Sequence, residues 1–227
     1  IALNDSGCRN THVDTEYVEE LIALLSDEVI PTLLDHEAIH EQVSRWFTRS
    51  ELEQFMQPAT DPTQKICLDW MSGEGKRWRP FLLSAVWQAL TGKTEMTTDV
   101  HRAAVAVECF HKASLIHDDV VDHYDTRRGK PAVHALWTNK VAVLMGDYML
   151  AKVIGLTAEV RNIRILEIVA NLGKSLSSGE MVQLHVGQSM WIDEEQYFRV
   201  IEQKTAQLFQ ACAEAGAESS GFMQRQR

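Results

Sequence analysis

The sequence predicts an all-α fold of one domain, with helices packed in layers around a central one. Only five prolines and twelve glycines interrupt the 227 residues, which leaves long helix-forming segments between them. Apolar residues recur every three or four positions in these segments, as one buried face of a helix requires. No segment alternates apolar and polar residues as a half-buried strand does, and no repeat of about 20–50 residues is visible.

The predicted helices begin with two amphipathic segments over residues 15–34 and 37–55, which form an N-terminal region of residues 1–60. Residues 58–62 contain two prolines and predict a loop, and a short helix follows through Trp70. Further helices are predicted over residues 140–156, 162–188 and 194–217.

Two more helices lie between these groups. Pro80 suits the first turn of a helix that ends near Leu90, because a proline at that place has no helical N–H bond to lose. Thr98 or Asp99 can cap the next helix. Residues 103–116 of that helix are apolar on nearly every side, so we expect it to be the buried central helix.

Composition narrows the classes of function. Asp and Glu outnumber Lys and Arg by 32 to 22, and the resulting charge of −10 repels nucleic acid. The cysteines form no CxxC pair, which predicts free thiols in a reducing compartment. No apolar segment approaches the roughly 18 residues of a membrane span, and no secretory signal or initiator Met begins the sequence. We therefore expect a cytoplasmic protein whose sequence begins inside a longer product. The cysteines are Cys8, Cys67, Cys109 and Cys212.

Three aspartates at the end of the predicted central helix form the strongest local signal. Asp118 and Asp122 are four residues apart and share a helix face, while Asp119 points about 100° away. The helix dipole and the neighbouring carboxylates both disfavour these charges, so a cation is needed. Magnesium prefers carboxylate oxygens and keeps positions open for phosphate oxygens. The alternative is a solvated acidic helix end that binds nothing.

A basic segment follows within eight residues of Asp122. Arg127 and Arg128 can each bind phosphate oxygens through two N–H groups, and Lys130 adds an ammonium. Carboxylate, magnesium, phosphate and arginine would then alternate in charge. The alternative pairs the arginines with the aspartates as surface salt bridges, which contribute little energy.

A second set of polar residues predicts an anion site. Lys76 and Arg79 are three residues apart at a helix start, where free N–H groups favour anions. His111 lies seven residues before Asp118 and therefore on roughly the same face of the central helix. The alternatives are a basic helix entrance exposed to water at Lys76 and Arg77, and an ordinary core histidine at His111.

Other polar residues interrupt apolar helices. Asp147 can hydrogen-bond a basic partner or serve as a buried structural acid, and we favour the structural role. Glu180 and Gln183 lie one turn apart on their helix. Lys204, beside an apolar face, is by itself typical of a lysine whose stem packs while its charge extends to water.

Taken together, these residues resemble the trans-isoprenyl diphosphate synthase family, which makes farnesyl, geranylgeranyl and longer polyprenyl diphosphates. An aspartate-rich motif alone is weak, because class I terpene cyclases share it. Six motifs in the family's order and spacing, within residues 70–215, are a strong match. The matching segments are residues 75–80, 114–122, 127–129, 146–148, 179–183 and 204–206.

The resemblance implies the isoprenoid synthase fold, one helical domain over residues 1–227 around a central apolar cavity. It implies a magnesium-dependent homodimer that condenses an allylic diphosphate with isopentenyl diphosphate through an allylic carbocation. The residues implied for isopentenyl diphosphate are Gly75, Lys76, Arg79, His111 and Arg128. The residues implied for the allylic diphosphate and its ionisation are Asp118, Asp119, Asp122, Arg127, Gln183, Lys204 and Thr205, with Asp118 and Asp122 as the magnesium ligands.

Two departures from the family pattern bear on function. Trp78 replaces the leucine that is usual in the first motif, which changes packing but removes no charge. The family carries a second aspartate-rich helix further beyond the Lys204–Thr205 pair than this sequence extends. We therefore expect a chain that lacks its C-terminal part, half of its metal site and full activity.

The size of the product and the class of protein are also open to prediction. Small Ala113 and Ser114, just before the first aspartate, argue against a short farnesyl-type product. Phe110, one turn deeper, predicts a later stop, so we expect a product of geranylgeranyl size or longer. One alternative is a class I terpene cyclase, which has no need for a second diphosphate site at Lys76 and Arg79. The other is a catalytically silent subunit of a heteromeric synthase.

Overall fold

The computed structural model describes residues 36–56, 62–73, 75–187 and 193–221, and these are mostly helical. Cys8, the helix expected over residues 15–34 and nearly all of the loop expected over 58–62 lie outside these ranges. The elements in chain order are α1 (His36–Trp46), α2 (Arg49–Met56), α3 (Pro62–Ser72), α4 (Trp78–Thr91), α5 (Thr98–Val121), β1 (Thr126–Arg127), β2 (Lys130–Pro131), α6 (Val133–Leu136), α7 (Asn139–Glu159), α8 (Ile163–Gly187), α9 (Glu194–Ile201), a π turn (Glu202–Ala206) and α10 (Gln207–Ser219).

The central helix of the fold is α5. The Thr97 hydroxyl accepts a hydrogen bond from Val100 N at 3.4 Å, so the N-cap lies one residue before the expected Thr98 or Asp99. Every residue from 103 to 110 is buried, because neighbouring helices cover this part of α5 on all sides. The prediction of a buried central helix is confirmed, and the helix carries the aspartates to its C-terminal end.

The helix α7 packs along α5 and supplies part of the core. Met145, Met149 and Val153 are buried in that contact, while Leu144 and Ile154 are exposed on other sides of α7. By length and composition alone, α7 could cross a membrane, a property that the sequence analysis assigned to no segment. The core helix of a globular protein can share that property, and one side of α7 belongs to the hydrophobic core.

Two of the predicted helices are interrupted. The helix expected over residues 37–55 is divided between α1 and α2, where Thr48 and Ser50 place their hydroxyls 3.3 Å apart. Such side chains offer the backbone local alternatives to continued helix, which favours a break. The helix expected over residues 194–217 is divided by the π turn, whose i to i+5 hydrogen bonding an apolar pattern does not reveal.

A short antiparallel hairpin follows α5. Thr126 pairs with Pro131 and Arg127 with Lys130. Strands of two residues are too short to show the alternation by which strands are predicted, so this element was not expected.

Pro80 lies in the first turn of α4, as expected.

Close packing of α4 on α10 closes the core beside α5. A side chain at Gly216 would overlap the carbonyl of Leu83, so glycine is required for this approach. The thiols of Cys67, Cys109 and Cys212 are buried and free, as predicted for these three. Burial raises the pKa of Cys67 to about 12, so this thiol stays protonated.

Candidate active site

The acidic end of α5 faces α8 and the π turn. Asp122 N–H donates to the carbonyl of Asp118 at 2.8 Å, so helical geometry continues to the last aspartate and the two carboxylates share a face. Burial, followed by the charge of Glu180, raises the pKa of Asp118 to about 6 despite the opposing charge of Lys204. Like charges therefore crowd this carboxylate, and a cation would relieve the crowding.

Lys204 connects three elements at this site. Its Nζ lies 2.6 Å from Glu180 Oε1 and 3.7 Å from Asp118 Oδ2, and it donates to Gln183 Oε1 at 3.2 Å. Burial lowers the pKa of Lys204, but the hydrogen bond to Glu180 and the surrounding negative charges outweigh burial and raise it. Lys204 is therefore not a lysine that extends its charge to water. We call Asp118, Asp122, Glu180 and Lys204 the acidic cluster.

Glu180 is a site residue that was not predicted from the sequence. It lies in the motif over residues 179–183, from which only Gln183 was assigned to the site. The preceding residue, Gly179, allows α8 to approach the π turn closely. A Cβ at this position would lie only 2.9 Å from the Cβ of Gln203, and glycine has none. A glycine followed by an acid within a long helix was the available signal.

The π turn determines which of its side chains faces the acidic cluster. Gln207 N–H donates to the carbonyl of Glu202, and this wider turn places Lys204 beside α8. Thr205, the next residue, is exposed, and its hydroxyl makes no hydrogen bond to the described residues. Its expected role beside the allylic cation stays a prediction.

Asp119 points away from the other two aspartates and binds Arg127. The Asp119 side chain is 1% exposed; its Oδ1 accepts a hydrogen bond from Arg127 Nε at 2.8 Å and lies 2.7 Å from Nη2. Because the carboxylate is buried, this pair is not the surface salt bridge considered as an alternative. Arg127 is left with Nη1 for an expected contact with a diphosphate.

We call Arg79 on α4, His111 on α5 and Arg128 in the hairpin turn the basic cluster. Burial, followed by the charges of Arg79, Lys112 and Arg128, lowers the pKa of His111 to about 3, so its imidazole is neutral at pH 7. Burial also lowers the pKa of Arg79, and Arg79 Nε is buried with no hydrogen-bond partner among the described residues. The charges of Arg79 and Arg128 thus act on His111, and all three residues are expected to hold isopentenyl diphosphate.

Two other residues expected at that anion site lie apart from the basic cluster. Lys76 is exposed, and it makes no hydrogen bond or ion pair within the described ranges. Gly75 borders Arg77: a Cβ at Gly75 would lie 3.6 Å from the Arg77 guanidinium. Among the described residues, neither forms a hydrogen bond or ion pair with Arg79 or His111.

Arg77 is buried, which corrects the interpretation of an exposed basic helix entrance. Its Nη1 donates to Glu108 Oε1 at 2.7 Å, and its Nη2 donates to the carbonyls of Met71 at 2.9 Å and Gly73 at 2.5 Å. The backbone of Arg77 is left-handed, with φ of 52°, which costs about 1–2 kcal/mol for a residue with a Cβ. These hydrogen bonds offset that cost and fix the segment between Lys76 and α4.

The motif over residues 146–148 packs against His117. A side chain at Gly146 would overlap the His117 ring, so this glycine makes room for the imidazole. His117 Nε2 lies 3.2 Å from the carbonyl of Val143 and 3.5 Å from Asp147 Oδ1. Asp147 is exposed, so the interpretation of a buried structural acid is wrong.

Comparison with known proteins identifies a family and relatives of this chain. The sequence model of the Polyprenyl synthetase family matches residues 61–227. Heptaprenyl diphosphate synthase component 2 of Geobacillus stearothermophilus is 36% identical over 172 residues, and octaprenyl diphosphate synthase of Escherichia coli is 37% identical over 151. These alignments cover 75% and 66% of this chain but 52% and 46% of the relatives. The chain therefore spans about half the length of these relatives.

Solved structures show the same fold. A polyprenyl synthase from Caulobacter crescentus, complexed with calcium and isoprenyl diphosphate, is 32% identical with a TM-score of 0.71, over 85% of this chain and 56% of that one. A decaprenyl diphosphate synthase from Rhodobacter capsulatus is 33% identical with a TM-score of 0.68, over 86% and 57%. The isoprenoid synthase fold is thus confirmed, and this chain belongs to the polyprenyl synthetase family.

Proposed function

We propose that this chain transfers an allylic prenyl group to isopentenyl diphosphate and so makes a longer polyprenyl diphosphate. The observation that carries the proposal is the presence of two clusters of different charge along the last turns of α5. Two substrates that each bear a diphosphate need two sites, and one cluster suits a metal-bound diphosphate while the other binds an anion directly. A terpene cyclase ionises one diphosphate and has no use for the basic cluster.

Magnesium fits the open side of the acidic cluster. Asp118 and Asp122 offer oxygens on one helix face, and the crowded charge at Asp118 favours a cation. Within the described residues, no group of three His, Cys, Asp or Glu side chains encloses a metal position. Magnesium bound to a diphosphate needs only one or two carboxylates, because water and phosphate oxygens complete its coordination. When bound, it would supply positive charge to the leaving diphosphate.

The protein's own cations would assist departure of that diphosphate. Lys204 lies at the acidic cluster, and Arg127 keeps one N–H edge free, so both can stabilise the growing negative charge. Thr205 and Gln183 would direct oxygen dipoles toward the allylic cation and the metal-bound group. The double bond of isopentenyl diphosphate would then attack the cation, and the proton released would pass to the departing diphosphate.

The basic cluster would hold isopentenyl diphosphate. Arg79 has a buried Nε without a protein partner, and the guanidinium groups of Arg79 and Arg128 match phosphate oxygens. Neutral His111 can donate one N–H without adding charge. Lys76 would approach the diphosphate from the solvent side, and Gly75 would leave the neighbouring backbone accessible.

Product length would be set below the first aspartate. Ala113 is buried and small, which leaves space for a growing prenyl chain next to Asp118. Phe110 is buried one turn deeper, and a Cβ at Gly173 would lie 3.7 Å from its ring. A stop at Phe110 fits a product of geranylgeranyl size or longer, and relatives named for heptaprenyl and octaprenyl products support that choice.

Assembly and location extend the proposal. Leu144 and Ile154 on α7 are 66% and 58% exposed, and Leu136 and Trp137 before it are exposed as well. Exposed apolar surface of this kind marks protein interfaces, and a second copy of the chain is the occupant that we propose. The free buried thiols fit a reducing compartment such as the cytoplasm.

Calorimetric titration tests the two diphosphate sites separately. The chain would be titrated with isopentenyl diphosphate and with an uncleavable allylic thiolodiphosphate, each with and without Mg²⁺. We expect only the allylic ligand to require Mg²⁺. Asp118→Ala should abolish allylic binding and spare isopentenyl diphosphate, while Arg79→Gln should do the opposite. Loss of both ligands in either variant, with an unchanged circular dichroism spectrum, would contradict two separate sites.

A further inference from the structure

Asp119 differs from the aspartates on either side of it. Its carboxylate is almost fully buried, and its Oδ1 accepts the Nε–H of Arg127 and lies 2.7 Å from Nη2, whereas Asp118 and Asp122 are partly exposed. On a helix, Asp119 points about 100° away from Asp118. The Asp119 carboxylate therefore faces the hairpin, whereas the carboxylates of Asp118 and Asp122 lie on a different, more open face of α5.

The hairpin carries two adjacent arginines. Arg127 lies on β1 opposite Lys130, and the two residues between them, Arg128 and Gly129, have φ of 52° and 75°. Positive φ at both central positions is the type I′ turn, the connection that suits a tight two-residue hairpin. Ala132 N–H donates to the carbonyl of Asp125 at 2.8 Å and closes the base.

The tip of this hairpin carries Arg128, the exposed member of the basic cluster. The charge of Arg128 lowers the pKa of both His111 and Arg79. Arg127, one residue earlier, is held at the end of α5 by Asp119. Tyr124 N–H donates to the carbonyl of Asp119 at 3.1 Å. The segment that leads into the hairpin is therefore also bound to Asp119.

We propose that Asp119 is a positioning residue for the isopentenyl diphosphate site: by holding Arg127, it sets the hairpin so that Arg128 faces the basic cluster. Besides holding Arg127 for the allylic diphosphate, its carboxylate thus also serves the substrate that does not carry the metal, although it lies between two aspartates assigned to magnesium. This inference rests on the proposed function of the basic cluster. Without the Asp119 carboxylate, Arg127 keeps its charge but loses its partner, and the hairpin gains freedom.

The first test compares Asp119→Asn with the neighbouring Asp122→Asn. Calorimetry would measure the Kd of isopentenyl diphosphate and the Mg²⁺ concentration that half-saturates binding of the allylic thiolodiphosphate. For Asp119→Asn we expect isopentenyl diphosphate to bind about tenfold more weakly, as loss of one charge-assisted contact implies, with an unchanged Mg²⁺ requirement. For Asp122→Asn we expect the reverse pattern.

The second test reads the hairpin directly. Trypsin cleaves after arginine, so the bonds that follow Arg127 and Arg128 report release of the hairpin from α5. We expect faster cleavage after Arg128, the site that all these variants keep, in Asp119→Asn and in Arg127→Gln than in wild type or Asp122→Asn. The double variant Asp119→Asn/Arg127→Gln should be no weaker for isopentenyl diphosphate than the worse single variant, because both changes remove one contact.

Several outcomes would overturn the inference. A raised Mg²⁺ requirement in Asp119→Asn, with an unchanged Kd for isopentenyl diphosphate, would make Asp119 part of the metal site. Unchanged trypsin cleavage would exclude it as an anchor. If Asp119→Asn unfolds, Arg127→Gln must still weaken isopentenyl diphosphate binding, or the anchoring role is wrong. If the wild-type chain binds neither diphosphate, the proposed function fails as well, and that result is distinct from the others.

Discussion

The ammonium of Lys204 lies 2.6 Å from the carboxylate of Glu180 and joins the π turn to α8. Both side chains are about one-fifth exposed, so the pair is screened less than a surface salt bridge. The same ammonium is 3.7 Å from Asp118. The contact with Glu180 therefore controls how closely Lys204 approaches the carboxylate of Asp118.

Glu180→Gln tests that control. The neutral amide holds the ammonium less firmly, and Lys204 becomes free to pair with Asp118 alone. We expect kcat/KM for the allylic substrate to fall about tenfold, as loss of one charged contact implies, without loss of the fold. The matched control is Glu214→Gln, since Glu214 is exposed on α10 and contacts Gln210. Equal activity in both variants would exclude Glu180 from the site.

Gly179→Ala tests the close approach that positions Lys204. The added methyl would lie 2.9 Å from Gln203 Cβ, so α8 and the π turn must separate. We expect a loss of about 1–3 kcal/mol in the free energy of unfolding and reduced turnover. Gly155→Ala is the control, because a methyl there meets nothing within 4 Å and should stabilise α7 by about 0.5–1 kcal/mol. Urea unfolding of both variants gives the comparison, and a stabilised Gly179→Ala would refute the packing argument.

Glu108→Ala tests the buried ion pair between Glu108 and Arg77. Glu108 and Arg77 are 6% and 5% exposed, so removal of the carboxylate leaves a buried guanidinium without its charge partner. We expect the free energy of unfolding to fall by about 3–5 kcal/mol. Glu159→Ala removes an acid that pairs with Arg102 and is 59% exposed, and it should cost at most about 1 kcal/mol. Similar losses in the two variants would show that the Arg77 pair has no special weight.

The acid sensitivity of the fold should depend on His101. Its ring stacks on Trp46 at 4.3 Å, and burial, followed by the charge of Arg102, lowers the pKa of His101 from 6.5 to about 4. The unfolded chain therefore takes up this proton at higher pH than the folded chain. Stability from neutral His101 is complete above about pH 6.5 and is lost as pH falls toward 4.

His101→Phe isolates that contribution. A phenyl ring can keep the stacking on Trp46 and Phe55 but binds no proton. Urea unfolding between pH 7 and pH 4 should show a smaller decline in stability for the variant than for wild type. Parallel declines would mean that other groups cause the acid sensitivity.

Much of the fold follows from local sequence because the helices are long and strongly patterned. Residues 103–110 contain few polar side chains, so α5 had to be buried wherever it lay. The shared face of Asp118 and Asp122, and the different direction of Asp119, follow from helical geometry alone. These features needed no knowledge of the partner helices.

Contacts between distant segments could not be predicted in this way. Lys204 beside apolar residues is typical of a surface lysine until the π turn and α8 place it against Glu180. Arg77 follows an exposed lysine, and only the packing of α5 supplies Glu108 as its buried partner. A local sequence pattern indicates which face of a helix is buried. The partners of these charged side chains depend instead on which helix faces pack together.

The central claim is prenyl transfer from an allylic diphosphate to isopentenyl diphosphate. The most direct measurement is incorporation of labelled isopentenyl diphosphate into farnesyl diphosphate by this chain, with and without Mg²⁺, and with products resolved by length. We expect Mg²⁺-dependent products of geranylgeranyl size or longer, formed with less than the family's full activity as expected from the sequence, and a further loss on the order of a thousandfold in folded Asp118→Ala. Absence of elongated product with Mg²⁺ present, or near-normal turnover in Asp118→Ala, would contradict the account.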